Sequence, residues 1–306
     1  MRNTRLTDVG LKALGALHEL ERLTINANSL KSAGLVHLRS LRSLRELDLS
    51  ECRDIDDMAL EHVGALAGLQ SLDLSGTSIT SAGLVHLQPL ENLRELNLSE
   101  NSMIDDAGLG HLSTLTNLES LDLTGDSVTS AGLVHLQTLH SLRRLDLTEN
   151  SKIDDTAFQH LSALTNLESL HLDVTAINGS GLHHLGGLGK LESLGLTRTA
   201  VADDSLRQLT ALPSLQSLWL SGTQVTDAGL GHLKECASLR LLNLWDTKIA
   251  GPGLLHLKDM KNLEEVHLPD GPFQTGDAQA LKQAKPNLRI LALPAWARDT
   301  AAEHTD

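Results

Sequence analysis

Leu47-Asp48-Leu49, Leu72-Asp73-Leu74, Leu121-Asp122-Leu123 and Leu145-Asp146-Leu147 are four copies of one tripeptide pattern in this chain of 306 residues. The pattern opens at Leu23-Thr24-Ile25 and recurs as Leu96-Asn97-Leu98, Leu170-His171-Leu172, Leu194-Gly195-Leu196 and Leu218-Trp219-Leu220. It closes with Leu242-Asn243-Leu244, Val266-His267-Leu268 and Leu291-Ala292-Leu293, which makes twelve copies, each 24 or 25 residues after the last. A fixed period of this length means stacked units, none of which can bury its apolar face alone. Within a copy, Leu-x-Leu alternates with period two and predicts a short half-buried strand. Gly34-Leu35, Leu38 and Leu41 then recur at spacings of three, the face of about two helical turns. Each unit is therefore a strand followed by a short helix.

The whole pattern, LxxLxLxx(N/C/T)x(I/V)x(D/S)xGLxxL over about residues 4–293, resembles the leucine-rich repeat family. Val225-Thr226-Asp227-Ala228-Gly229-Leu230 and Ile104-Asp105-Asp106-Ala107-Gly108-Leu109 are similar to its cysteine-containing subclass, shared by F-box substrate receptors and many bacterial repeat proteins. The Cys/Asn position is filled by Asn28, Cys52, Thr77, Asn101, Asp126, Asn150, Thr175, Thr199, Thr223 and Thr247, so Cys52 alone matches the subclass name. The resemblance implies an α/β fold: a leucine-rich repeat solenoid, a curved horseshoe with parallel strands on the concave face and short helices on the convex face.

Local chemistry agrees with this layout. Ser32, Ser81, Asp106, Ser130 and Asp227 precede the helical turns, where a side-chain oxygen caps free N–H groups. The glycine that follows predicts a close approach of helix and sheet. Proline stays out of the strands until Pro269 and Pro294, as pairing on both sides requires. A longer period is superimposed: Ser32, Ser81 and Ser130 open near-identical blocks of 49 residues, the mark of a duplicated pair of units, and the match fades after about residue 180. The expected organisation is one domain over residues 1–296, its first unit incomplete and residues 270–296 a C-terminal cap, followed by a disordered tail at 297–306. The first unit lacks its strand, which points to a chain cut from something longer.

Composition excludes several function classes. With 25 Lys+Arg against 39 Asp+Glu the net charge is −14, and no basic cluster is available to neutralise phosphates, so nucleic acid is not the partner. No apolar run approaches the ~20 residues that span a bilayer, and no apolar leader follows Met1, which predicts a cytoplasmic protein with no membrane partner. Nine of the 15 histidines share one repeat position: His37, His62, His86, His111, His135, His160, His184, His232 and His256. Stacking lines them up on the convex side, but without companion Cys or carboxylate ligands they read as a structural ladder bonded to neighbouring backbone. Cys52 and Cys236 stand more than seven units apart and are free thiols, as in a reducing compartment. Gly186-Gly187-Leu188-Gly189-Lys190 lacks the Ser or Thr of a phosphate loop. No zinc-protease helix or nucleophile elbow is present. The chain reads as a non-enzyme that needs no cofactor and no metal.

The residues between the paired leucines point away from the core. In order they are Thr24, Asp48, Asp73, Asn97, Asp122, Asp146, His171, Gly195, Trp219, Asn243, His267 and Ala292; two residues on, the row includes Asp173, Trp245 and Pro269. The first half is a uniform Asp/Ser surface; the second turns to His171, Trp219, Trp245 and His267, with Asp173, Arg198 and Asp246 beside them. Two of three tryptophans, in a chain with two Phe and no Tyr, therefore project from the sheet. Exposed Trp on a rigid surface is the commonest form of interaction hot spot. The competing expectation is that Trp219 and Trp245 stack on each other or are covered by the segment around Phe273 and Trp296. Asp48, Asp73, Asp122 and Asp146 would steer a basic partner, unless they serve solubility alone.

The expected function is a protein–protein interaction module that binds a protein or peptide at residues 171–267, as the recognition arm of a larger protein or as a bacterial protein delivered to act on host proteins. Two alternatives stay open: a self-assembling homo-oligomer, and the binding domain of an enzyme whose catalytic part lies outside this chain.

Overall fold

The protein, seen here as a computed structural model, is described over residues 8–25 and 30–292. Two compact units divide it, Met1–Leu167 and Glu168–Asp306. The first holds six strands: β1 (Arg22–Thr24), β2 (Glu46–Asp48), β3 (Ser71–Asp73), β4 (Glu95–Asn97), β5 (Ser120–Asp122) and β6 (Arg144–Asp146). The second holds β7 (Ser169–His171), β8 (Ser193–Gly195), β9 (Ser217–Trp219), β10 (Leu241–Asn243), β11 (Glu265–Leu268) and β12 (Arg289–Ala292). Within each unit every strand pairs in parallel with its chain neighbours. The register keeps leucine on leucine, as in Leu47↔Leu72↔Leu96↔Leu121↔Leu145 and Leu170↔Leu194↔Leu218↔Leu242. This is the expected repeat architecture. Helical residues Asp8–Leu14 precede β1.

In the first eleven copies both apolar residues of the tripeptide are buried, and the isoleucine, valine and leucine positions of the return segments are buried with them; Phe158 is the largest fully buried side chain among the described residues. Parallel strands bonded on both sides leave few free backbone groups, but the carbonyl that ends each strand faces inward. The Cys/Asn/Thr row meets this need. Asn101 Nδ2 donates to the Leu74 and Leu98 carbonyls at 2.9 and 2.6 Å, and Asn150 Nδ2 does the same for Leu123 and Leu147. Thr175, Thr199 and Thr223 turn their hydroxyls onto the carbonyls of Leu172, Leu196 and Leu220. Cys52 Sγ reaches the Ile25 carbonyl at 3.2 Å.

The helical segments alternate in the first unit. Ser32–Ser40, Gly83–Leu87 and Gly132–Thr138 are 3₁₀ turns, whereas Asp57–Val63, Asp106–Leu112 and Ala157–Leu161 are α-helical. The caps are not those expected. Asp56, Asp105 and Thr226 accept from the N–H two residues on, at Met58, Ala107 and Ala228. Ser32, Ser81 and Ser130 instead take the N–H of Asp56, Asp105 and Asp154 in the following repeat, at 2.9, 2.9 and 2.8 Å. Asp106 binds the backbone N–H and hydroxyl of Thr129, and Asp227 the N–H groups of Ala250, Gly251 and Gly253. These side chains tie repeat to repeat rather than closing their own helix. The glycine has a matching reason. A Cβ on Gly83 would lie 2.3 Å from Asp57 Oδ1, and one on Gly132 would lie 2.2 Å from Asp106 Oδ1, so the crowding comes from the neighbouring repeat's aspartate and not from the sheet.

Cys52 and Cys236 are buried and form no disulfide, and burial, with Glu235 nearby, pushes the Cys236 thiol up to about 11. Among the described residues no helix is long and apolar enough to cross a membrane. The expected tail at 297–306, Asn28, Pro294 and Trp296 lie outside the described residues.

Candidate functional site: the open face of the sheet

Three outward rows line the open face, because successive residues along each strand and its exit alternate outward and inward. In the first unit the middle row is half-buried acid. Asp48, Asp73, Asp122 and Asp146 each turn one carboxylate oxygen back onto the N–H two residues on, at Ser50, Ser75, Thr124 and Thr148, at 2.9–3.0 Å. The second oxygen of Asp73 takes the Asn97 amide at 3.2 Å. Burial raises the Asp122 carboxyl above its usual range, and repulsion from Asp146 and Asp73 adds to it. The flanking row is paired: Arg22 with Glu46, and Arg144 with Glu95.

In the second unit, His171 Nδ1 stands 3.4 Å from Asp173 Oδ2, and Asp173 Oδ1 accepts from the Thr197 N–H. Burial works against the Asp173 charge, but the contacts with His171 and Thr197 outweigh it and hold the carboxyl below its usual range. Both side chains lean over Gly195, where a Cβ would come within 2.4 Å of Asp173 and 2.6 Å of His171. The missing side chain at 195 is what lets the pair form. Arg198 and Asp246 stand exposed at the strand exits with positive φ, 54° and 53°.

Trp219, Trp245 and His267 form one cluster. The Trp245 ring stacks on His267 with centroids 4.6 Å apart at 29°, and Trp219 meets His267 edge-on at 6.3 Å and 81°. The two tryptophans thus share a histidine rather than stacking on each other, and both stay half-buried. Between them in the row lies Asn243, 4% exposed, whose Oδ1 accepts from the Trp245 N–H at 3.0 Å. His267, 7% exposed, is held from one side only: its Nε2 lies 2.7 Å from Glu265 Oε1, while Glu265 Oε2 takes Arg289 at 2.5 Å. His267 Nδ1 and Trp245 Nε1 are both buried without a hydrogen-bond partner.

Asn243, Glu265 and Arg289 are members of this cluster that sequence reasoning missed. The signal was present: Glu265-x-His267 is the same alternation that placed His267 outward, read one step earlier along the strand.

Two of the nine repeat-position histidines meet neighbouring side chains: His160 lies 3.3 Å from Gln137, and His232 lies 3.1 Å from Arg207. Burial, with Arg39 nearby, lowers the His62 imidazole below its ordinary range. Among the described residues no group of three or more His, Cys, Asp or Glu is placed to hold a metal ion.

Comparison with known proteins fits this geometry. A family model described as a leucine-rich repeat region matches residues 23–306. No curated protein matches the chain in sequence. Among solved structures, an internalin of Listeria monocytogenes superposes with a TM-score of 0.66 at 23% identity, over 94% of this chain and 76% of its own. Internalin C2 of the same organism gives 0.50 at 22%, over 85% and 91%. A TDR receptor gives 0.64 at 17%, over 95% of this chain and 50% of its own. At these identities the likeness is one of fold. With the family model spanning nearly the whole chain and leucine ladders in register through both units, the chain belongs to the leucine-rich repeat family.

Proposed function

We propose that this chain is a non-enzymatic protein-interaction module whose open sheet face binds a protein or peptide, chiefly over residues 171–267. The observation that supports the reading is the gathering of Trp219, Trp245 and His267 on an outward face in a protein with three Trp, two Phe and no Tyr. Half-buried tryptophans on a rigid sheet give large contact area at little ordering cost. The aspartate row Asp48, Asp73, Asp122 and Asp146 acts as an electrostatic guide for a basic region of the partner, raising the encounter rate more than the lifetime.

The test is affinity capture from lysate with the wild type and a Trp219→Ala/Trp245→Ala double variant as baits. A partner held by the wild type and lost by the folded variant supports the reading, with a loss of about 2 kcal/mol or more. The same partners on both baits would move the site elsewhere. A concentration-dependent dimer abolished by the double variant, seen by light scattering, would instead make the face a self-association surface.

A further inference from the structure

The last strand of the sheet is out of step with its own sequence. Leu291-Ala292-Leu293 would set Ala292 beside His267, but β12 pairs Val266 with Ile290 and His267 with Leu291. The slip turns Ile290 inward and Leu291 outward. It also sets Ala292, which is exposed, against Leu268, which is fully buried, so the closing layer of the core carries an alanine where its neighbour carries a leucine. Ile290 lines a cavity of about 330 Å³ together with Phe273, Gly276, Ala278, Gln279 and Lys282, between β12 and the helical residues Gly271–Thr275 and Asp277–Ala284. Phe273 stands 41% exposed, whereas the chain's other phenylalanine, Phe158, is fully buried.

Among the described residues β12 pairs with β11 alone, so this cavity lies where a further repeat would otherwise cover the core, and a stack of repeats needs such an end closed. Fourteen residues follow Ala292. Their apolar part is Leu293-Pro294-Ala295-Trp296-Ala297, and Arg298-Asp299-Thr300-Ala301-Ala302-Glu303-His304-Thr305-Asp306 is mostly polar. Pro294 has no N–H to give a ladder, so it breaks strand pairing at that point. Trp296 comes four residues after Ala292, a reach of at most about 14 Å, and Ala292 is itself two residues past the lining residue Ile290. An indole brings a large apolar area and one N–H that needs an acceptor when buried. The lining suits both: Phe273 and Ile290 give apolar contact, and Gln279 has a side-chain carbonyl. Lys282, whose ammonium donates to the Leu288 carbonyl at 2.6 Å, adds the charge that an aromatic face attracts. A second copy of the chain fits less well, because a net charge of −14 opposes self-association.

We infer that this cavity is the seat of Trp296: past Pro294 the chain folds back over Phe273 and Ile290, and the indole closes the end of the core. Trp219 and Trp245 are then left uncovered by the C-terminal segment, whatever the open face binds.

The experiment uses the full chain carrying Trp219→Phe and Trp245→Phe, so that Trp296 alone emits. Its emission is expected to lie blue of N-acetyltryptophanamide and to be several-fold less quenched by acrylamide, at every protein concentration. Adding Phe273→Ala should shift the emission to the red and restore quenching. In the otherwise native chain, Trp296→Ala should lower the thermal midpoint and open the cavity, so that anilinonaphthalene sulfonate fluoresces more strongly with the variant than with the wild type. Urea unfolding of double variants places the ring: the costs of Phe273→Ala and Trp296→Ala should not add, whereas those of Trp219→Ala and Trp296→Ala should. Circular dichroism checks each fold; if Trp296→Ala does not fold, Trp296→Phe and Trp296→Leu carry the comparison. Solvent-like emission from Trp296 would overturn the inference, as would dye binding equal in wild type and variant. Burial that appears only as concentration rises would make a second copy the occupant, and coupling to Trp219 in place of Phe273 would put the ring on the open face; either result overturns it too.

Discussion

Asp126 occupies a position where its counterparts are neutral: Asn101 on one side, Asn150 on the other. Its Oδ1 accepts from the Asn101 N–H at 3.0 Å, but Oδ2 is buried with no partner, and burial pushes the carboxyl up to about 9. The folded state therefore keeps a proton that the unfolded chain releases near pH 4. Between those two values the native state binds more protons than the unfolded one, so Asp126 makes stability fall as pH rises. Asp126→Asn supplies a donor where the orphan oxygen stands and removes the titration. Urea unfolding should show the variant more stable by about 1–3 kcal/mol at pH 8, with a smaller gain at pH 5; equal gains at both would refute the assignment. Backbone strain yields a second expectation. Glu51, Glu100 and Glu149 adopt φ of 59°, 61° and 64°; the repeats after the first two place Gly76 and Gly125 there, and the repeat after Glu149 places Val174 at 56°. A left-handed conformation costs an L-residue about 1–2 kcal/mol, so Glu100→Gly should raise the thermal midpoint, and a lowered midpoint would mean that the carboxylate holds more than the strain loses.

At the level of elements, the joints between repeats matter more than the helices themselves. Gly83 exists to admit the Asp57 carboxylate, which binds the Thr80 N–H and hydroxyl at 2.8 and 2.7 Å. Gly83→Ala should cost about 1–3 kcal/mol, the usual penalty of overpacking, and Asp57→Ala should cost less in that background than alone, because there it also relieves the clash with the new methyl group. Strict additivity in a double-mutant cycle would show that the two residues do not meet. Removing a cap is milder: Asp105→Ala loses the bond to the Ala107 N–H and should cost about 1 kcal/mol. The bond from Ser81 holds the Asp105 carboxyl below its usual range. A depressed carboxyl contributes stability above its unfolded value and loses it as pH falls through the folded one, so the difference between wild type and variant should shrink under acid. The strands and their register were legible because Leu-x-Leu leaves one way to bury both leucines. The alternation of α and 3₁₀ turns was not, since Gly-Leu-x-x-Leu satisfies either period. Nor was the direction of the capping side chains, which depends on whether a serine finds a neighbouring repeat's N–H closer than its own.

For the whole molecule, charge and pattern act together. A net charge of −14 with an acid row on the first unit's open face makes self-repulsion a destabilising term that salt screens. Stability should therefore rise from low to moderate ionic strength, and Asp48→Asn, Asp73→Asn, Asp122→Asn and Asp146→Asn combined should flatten that rise; an unchanged salt slope would show that the row contributes nothing to it. Of the candidate site, the outward placement of Trp219, Trp245 and His267 was readable from alternation alone. Their meeting on one imidazole was not, because side-chain rotamers leave no trace in periodicity, and Glu265, Arg289 and Asn243 entered only through that meeting. The joints described above carry one more implication, for how such a chain changes length. Ser81 needs the acidic turn at Asp105, as Ser130 needs that at Asp154, and Asp57 needs Thr80, as Asp106 needs Thr129. The repeats of the first unit are two kinds of tile, each cut to fit the other. Excising residues 81–129 would bring Thr80 against Ser130 and leave every seam closed, whereas excising a single 24-residue tile would set two of a kind side by side with nothing to lock them. Ancestral growth and deliberate trimming of the first unit alike are confined to even steps.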